Sequence, residues 1–238
     1  MRHGALFNGI GGFQLAAHWM GWENIFHCEI DKFCNQVVKK HFPESICYED
    51  IKQTDFTKWR GAIDVLTGGF PCQKFSLNGK GSMDLFLWKE MLRAVREIRP
   101  GWIVAENVYG LVVRKRGVAL ESVYADLENE GYETIPPLIL PAAGIGMDHR
   151  RDRVWIVAYA CGERRQSVIQ PQSNNGSQES ARIRPEPYKL LERPTPRRLR
   201  GMEDGISNWV DRVGALGNAI VPQVAFEIFK AIQAYENL

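Results

Sequence analysis

The sequence has no apolar run long enough to span a bilayer and nothing that resembles a signal peptide. Those absences predict a cytoplasmic protein without a membrane partner. There is also no Cys-x-x-Cys pair: the five cysteines, Cys28, Cys34, Cys47, Cys72 and Cys161, are odd in number and widely spaced. The pattern argues against a disulfide framework and against a zinc site, so no metal is expected, and a reducing compartment fits best. No internal repeat is present, and a formal net charge of +2 shows no global excess of one sign.

What is present is length enough for a sizeable core, at 238 residues, with ordinary hydrophobic and charged fractions. Charge is uneven locally. From Cys161 to Arg200 nine basic residues, Arg197 and Arg198 among them, face only four acidic ones. Such an excess attracts a polyanion, although a solvated surface segment reads the same way.

Over the first two-thirds of the chain, apolar runs alternate with amphipathic stretches. The runs lie near Ala5–Phe7, Ile25–Cys28, Ile63–Thr67, Trp102–Ala105, Leu138–Leu140 and Val154–Ala158. Helical spacing appears over Phe13–Met20, Lys32–Phe42, Leu85–Ile98 and Val118–Asn129. Leu85, Trp88, Leu92, Val95 and Ile98 form one buried stripe, which Pro100 ends. This alternation predicts an α/β fold, a mostly parallel doubly wound sheet with helices on both faces. The last strands, around Ile135–Leu140 and Val154–Tyr159, read as antiparallel, joined by the polar loop Gly144–Arg153. Residues 163–196 are rich in Gln, Asn, Ser, Arg and Pro and read as a loop-rich insertion. A helical pattern returns over Ala219–Tyr235, with Val221, Val224, Ile228 and Ile232 available for burial. The expected organisation is a catalytic and cofactor-binding unit over 1–160, a short basic segment over 161–205, and a C-terminal segment over 206–238 that returns to the first.

Candidate chemistry lies at predicted strand ends. Phe7-Asn8-Gly9-Ile10-Gly11-Gly12 follows a strand and precedes a helix, where glycines admit a close ligand and the helix start offers free N–H donors. Glu29 ends the second strand, where a carboxylate accepts both hydroxyls of a ribose. Asp50 follows the third and can accept from an adenine amino group. Each of these acids reads equally well as a helix cap. The fourth strand runs into Gly68-Gly69-Phe70-Pro71-Cys72-Gln73, and Glu106-Asn107-Val108 ends the neighbouring fifth strand. A lone cysteine is ordinarily a small buried hydrophobe, but here a carboxyl group falls within reach of it.

Phe-x-Gly-x-Gly-Gly, Pro-Cys-Gln, Glu-Asn-Val and Gly217-Asn218-Ala219-Ile220-Val221-Pro222 occur in this order. Together they resemble the cytosine-5 DNA methyltransferase family, over nearly the whole chain except about 162–200. The resemblance implies the S-adenosylmethionine-dependent methyltransferase fold and methylation of carbon 5 of a cytosine flipped out of double-stranded DNA. It implies Cys72 as the nucleophile that adds to C6, Glu106 as the group that holds or protonates N3, and S-adenosyl-L-methionine as cofactor. Phe7, Gly9, Gly11, Gly12, Glu29, Ile30, Asp50, Ile51 and Pro71 would line the cofactor site, which Asn218 and Ala219 would close. Arg151 and Arg153 match the family's paired arginines, which orient the glutamate and contact the target cytosine or its phosphate. A monomer with a cognate restriction endonuclease is the expected setting.

The chain departs from the family in three places. His149 replaces the glutamine of the family's Gln-x-Arg-x-Arg run. The loop after Cys72, through Lys80-Gly81-Ser82-Met83-Asp84-Leu85, is short and lacks an arginine, so its closure over DNA is expected to be impaired. The basic recognition segment is very short. An RNA cytosine-5 methyltransferase and a decayed, non-catalytic DNA-binding relative therefore stand as alternatives. A nicotinamide oxidoreductase would want a further glycine near Gln14 and has no use for Pro71-Cys72-Gln73.

Overall fold

The computed structural model describes residues 1–71, 85–113, 117–141, 152–161 and 219–238. Among them eight strands form one sheet: β1 (Arg2–Leu6), β2 (Glu23–Cys28), β3 (Ile46–Tyr48), β4 (Val65–Gly68), β5 (Trp102–Val108), β6 (Tyr132–Thr134), β7 (Leu138–Pro141) and β8 (Asp152–Ala160). The order is β3-β2-β1-β4-β5-β8-β6, with β7 beside the first half of β8. The first five strands run parallel, and β8 lies antiparallel to β5, β6 and β7. The mostly parallel doubly wound sheet is thus present. The antiparallel end is larger than the single pair expected. Of the strand expected around Ile135–Leu140 only the part from Leu138 forms, as β7; Pro136 and Pro137, which have no N–H to give a ladder, separate it from β6, which lies before the expected range.

Side chains of the central strands alternate between two cores. Val65, Trp102, Val104, Trp155 and Val157 face α1 (Gly12–Trp19) and the last helix, whereas Leu66, Ile103, Ala105, Val154 and Ile156 face the helices on the other side. Those helices are α3 (Phe86–Ile98) and α5 (Val118–Asn129), and between them in sequence lies the single turn α4 (Gly110–Val113). The predicted stripe of α3 is buried at Trp88, Leu92, Val95 and Ile98, joined by Met91 and Ala94, with Leu85 partly buried just before the helix. Helix α2 (Lys32–His41) starts at Asp31, whose side chain caps Cys34 N at 2.8 Å, and ends in Lys39, Lys40 and His41, which suit the negative pole of its dipole.

The final helix, α6 (Pro222–Glu236), opens with proline at its first turn and buries Val224, Ala225, Ile228, Phe229 and Ile232. Val221 sits at its N-cap. Phe229 stacks on Trp22 at 4.7 Å, and the indole N–H groups of Trp22 and Trp102 donate to Gln233 and Glu236 at 3.1 and 2.7 Å. These contacts join residues more than a hundred apart in sequence and hold α6 to the turn before β2 and to the start of β5, on the face it shares with α1. Gly4, a poor strand former, is required where it stands: a Cβ there would come within 2.6 Å of the Phe26 ring.

Two buried histidines make the fold sensitive to acid. His3 on β1 bonds Asn24 and Thr67 at 2.7 and 2.9 Å, and His27 on β2 bonds Ser45 at 2.9 Å. Burial lowers both pKa values from 6.5 to about 4, with Asn24 and Asn35 respectively opposing the fall. Between those values only the unfolded chain takes up the proton. Stability should therefore be full above pH 6.5 and decline as pH falls through about 4. Urea denaturation across this range, with imidazole NMR titration, checks it; folded-state titration of both rings near 6.5 would contradict it.

Candidate active site

Because β1 to β5 are parallel, their carboxyl ends share one edge of the sheet. Strand order reverses between β1 and β4, and a crevice opens at such a reversal. The chain leaving β1 turns through Phe7 (φ 49°), Gly9 (φ 54°) and Gly11 (φ 88°) into α1. Three left-handed residues in five make a tight turn that glycine favours at two of them.

Two acids secure this edge differently. Glu29 accepts from Gly9 N at 2.7 Å and Asp31 N at 2.9 Å, so one carboxylate ties the glycine turn to the turn after β2. It is not the cap of α2, a role that belongs to Asp31. Asp50 does act as a cap: it accepts from Lys52 N at 3.0 Å and Gln53 Nε2 at 3.2 Å around the short 3-10 turn Ile51–Gln53. Ile51 is buried, Pro71 is exposed, and Ile30 is 69% exposed beside Glu29.

A second polar system lies beneath the turn. Asn8 Nδ2 donates to Gln14 Oε1 at 2.6 Å, Gln14 Nε2 donates to Ser45 at 2.8 Å, and Ser45 meets His27. All four residues are buried. Sequence reasoning assigned them no role. The available signal was a polar Gln14 on the face of α1 that periodicity buries.

Glu106 lies on β5 and is 7% exposed. Arg153 on β8 pairs with it, Nε to Oε1 at 2.8 Å. Register explains the contact: Glu106 stands opposite Trp155 and Val108 opposite Arg153, which makes Glu106 and Arg153 diagonal neighbours on one face. Next to them, a Cβ on Gly69 would lie 3.4 Å from Glu106 Oε2, 3.7 Å from Ile220 Cγ2 and 4.0 Å from the Phe7 carbonyl. A Cβ on Gly12 would strike Ile220 Cγ1 at 2.7 Å. Ile220 therefore brings the segment before α6, with Ala219, onto the ends of β1 and β4. Asn107, on the opposite face from Glu106, donates to the Phe70 carbonyl at 2.8 Å and fixes the backbone two residues before Cys72. Neither Ile220 nor Asn107 had been given a role.

The structure thus brings Phe7, Gly9, Gly11, Gly12, Glu29, Asp50, Ile51, Pro71, Glu106 and Ala219 to one edge of the sheet, with Arg153 paired to Glu106. Cys72, Arg151, Asn218, His149, the loop through Lys80–Leu85 as far as Asp84, and the basic segment from residue 162 onward lie outside the described residues. Burial pushes the thiols of Cys28 and Cys34 up to about 12, with nearby acids adding to the effect, so neither is a thiolate at neutral pH. Among the described residues no three His, Cys, Asp or Glu side chains group as metal ligands, and no helix is long and apolar enough to cross a membrane.

The chain is similar to two type II methyltransferases, M.Eco47II of Escherichia coli, 38% identical over 158 residues, and M.PspPI of a Psychrobacter strain, 36% identical over 157. Each alignment covers 64% of this chain and 38% of the relative, so the chain spans well under half the length of these proteins. The fold is similar to that of the S. pombe Dnmt2 methyltransferase, with a TM-score of 0.55 at 22% identity over 68% of this chain and 52% of the other. The sequence pattern of the family described as C-5 cytosine-specific DNA methylase matches residues 1–203, and the chain belongs to that family.

Proposed function

We propose that the chain transfers a methyl group from S-adenosyl-L-methionine to carbon 5 of a cytosine flipped out of double-stranded DNA, through a covalent bond between Cys72 and C6. The observation that carries the reading is the nearly buried Glu106 carboxylate. It is paired with Arg153 and lies against the glycine end of the strand that leads to Cys72.

The residues present fit the cofactor. Glu29 uses two acceptor positions on Gly9 and Asp31 and is partly exposed, which leaves lone pairs for ribose hydroxyls. Among the described residues, none beyond Gly9's own chain neighbours comes within 4 Å of a Cβ built on Gly9, which leaves room at the turn for a ligand. Glu29 would hold the ribose, Asp50 and Ile51 the adenine, and Phe7, Pro71, Asn218 and Ala219 the remaining walls. When bound, S-adenosylmethionine supplies an electrophilic methyl carbon on a sulfonium, which C5 accepts.

The chain's own residues make C5 nucleophilic. Addition of the Cys72 thiolate to C6 converts the ring to an enamine, and Glu106 shares a proton with N3 so that negative charge does not accumulate in the ring. Arg153 holds Glu106 Oε1, and Oε2 lies over Gly69. Transfer of the C5 proton to solvent, return of the N3 proton to Glu106 and departure of the Cys72 thiolate then restore the aromatic ring. Arg151 would assist Arg153 at the target base or its phosphate. The basic segment over 161–205 would contact DNA, chiefly its phosphates, and a cognate restriction endonuclease would be the biological partner.

Methyl transfer to matched DNA duplexes and RNA hairpins, with bisulfite sequencing of the products, tests the reading. Transfer confined to DNA at C5 supports it, and transfer confined to RNA establishes the RNA alternative. Cys72→Ser should abolish turnover, because a neutral hydroxyl cannot supply the soft anion that C6 needs; a variant that still methylates would remove Cys72 from the reaction.

Substitutions of the two carboxylates should separate. Glu29→Ala should weaken cofactor binding by about 1.5–3 kcal/mol, the cost of a charged hydrogen-bond partner. Glu106→Ala should leave cofactor affinity nearly intact and strongly reduce transfer. Calorimetry showing equal weakening by both would contradict this division of roles.

A further inference from the structure

We propose that Arg93, on α3, is a positioning residue for the adenine end of the cofactor site; the inference rests on the function proposed above. Asp50 and Ile51 belong to the stretch 50–56, whose regular structure is one 3-10 turn. Such a stretch has few backbone bonds of its own to fix its shape. Thr54 Oγ1 donates to the Asp50 carbonyl at 2.7 Å and Gln53 N donates to it at 3.1 Å, which closes the turn locally.

Two further carbonyls of the stretch, those of Ile51 and Thr54, accept from Arg93. Its guanidinium donates through Nη2 to the Ile51 carbonyl and through Nη1 to the Thr54 carbonyl at 3.1 Å, so one planar fork spans both ends of the turn. Glu90 and Glu97 hold the fork in place, at 2.9 and 2.7 Å, and offset its charge. Glu97 also accepts from Phe56 N at 2.9 Å. The Arg93–Glu97 pair thus makes three bonds to a loop some forty residues away, where lysine could supply charge but not the fork.

The arrangement has a consequence for ligand choice. If Asp50 faces the adenine amino group, its placement depends on the turn that Arg93 clamps. Loss of the fork should blur discrimination at that group rather than weaken every contact alike. Arg93 touches neither cofactor nor base in this scheme; it acts through the backbone of Ile51 and Thr54.

The test compares affinities for S-adenosylhomocysteine and S-inosylhomocysteine, which carries an oxygen in place of the amino group, measured by calorimetry on the full chain. The wild-type protein should prefer the adenosyl compound. Arg93→Lys, and Arg93→Gln as a second variant, should lower that preference roughly tenfold, the scale of one charged hydrogen bond. Arg2→Ala is the control, because Arg2 pairs with Asp64 at the opposite end of the sheet and its loss should lower stability without changing the preference. A wild-type preference retained in both Arg93 variants overturns the inference whatever their melting temperatures, and so does a preference lost equally in the control. A wild-type protein that binds neither compound overturns the cofactor reading itself.

Discussion

The site depends on one constraint: adjacent parallel strands β1 and β4 send their chains to opposite faces of the sheet. From β1 the chain enters α1 on the face shared with α6, and from β4 it passes on to α3 on the other. Backbone donors and strand ends are thereby left at the crevice between them, uncovered by either helix layer. The described residues proposed to bind or react stand on that edge or, like Arg153, pair with one that does. The close approach needed to form it accounts for two glycines: Gly12 leaves room for Ile220, and Gly69 leaves room for Ile220 and the Glu106 carboxylate.

Around that crevice the chain fixes its backbone with polar side chains rather than with strand ladders, which have ended. Glu29 ties two turns, Asn107 holds the Phe70 carbonyl, the Asn8–Gln14–Ser45–His27 system underlies the glycine turn, and Arg93 clamps the turn after β3. Each is a buried or half-buried group with a partner, so each is costly to break and specifies one loop geometry. The Glu106–Arg153 pair belongs to the same scheme. A carboxylate removed from water needs a compensating partner, and the antiparallel register of β5 and β8 supplies it on the correct face.

Features that repeat locally were legible in the sequence. Helical spacing located α3 and α6 to within a residue or two at most ends, and the glycine and acidic residues marked the strand ends correctly because turns carry their own chemistry. Features that depend on partners distant in sequence were not. Nothing near Asp152 indicates that β8 inserts between β5 and β6, and Pro136-Pro137 was not read as a break between two strands. Arg93 reads as one more charge on an amphipathic helix; only the folded chain shows its fork on the carbonyls of Ile51 and Thr54. Likewise the sequence offered two readings of Glu29 and Asp50, as ligand contacts or as helix caps. The folded chain shows which turn each acid holds: Asp31 caps α2, Glu29 ties the glycine turn, and Asp50 caps its own short turn, bonds that are compatible with the ligand contacts proposed for Glu29 and Asp50.

The central claim is that Cys72 forms a bond to cytosine C6 while Glu106, fixed by Arg153, serves the same ring. Duplex DNA carrying 5-fluorocytosine at the methylated position, incubated with the chain and S-adenosylmethionine, tests it most directly. Fluorine cannot leave as the C5 proton does, so the thiolate cannot depart. The account predicts a covalent protein–DNA adduct, stable to denaturation, with mass spectrometry placing the bond on Cys72. An adduct on another residue, or one that persists in Cys72→Ser, would contradict it.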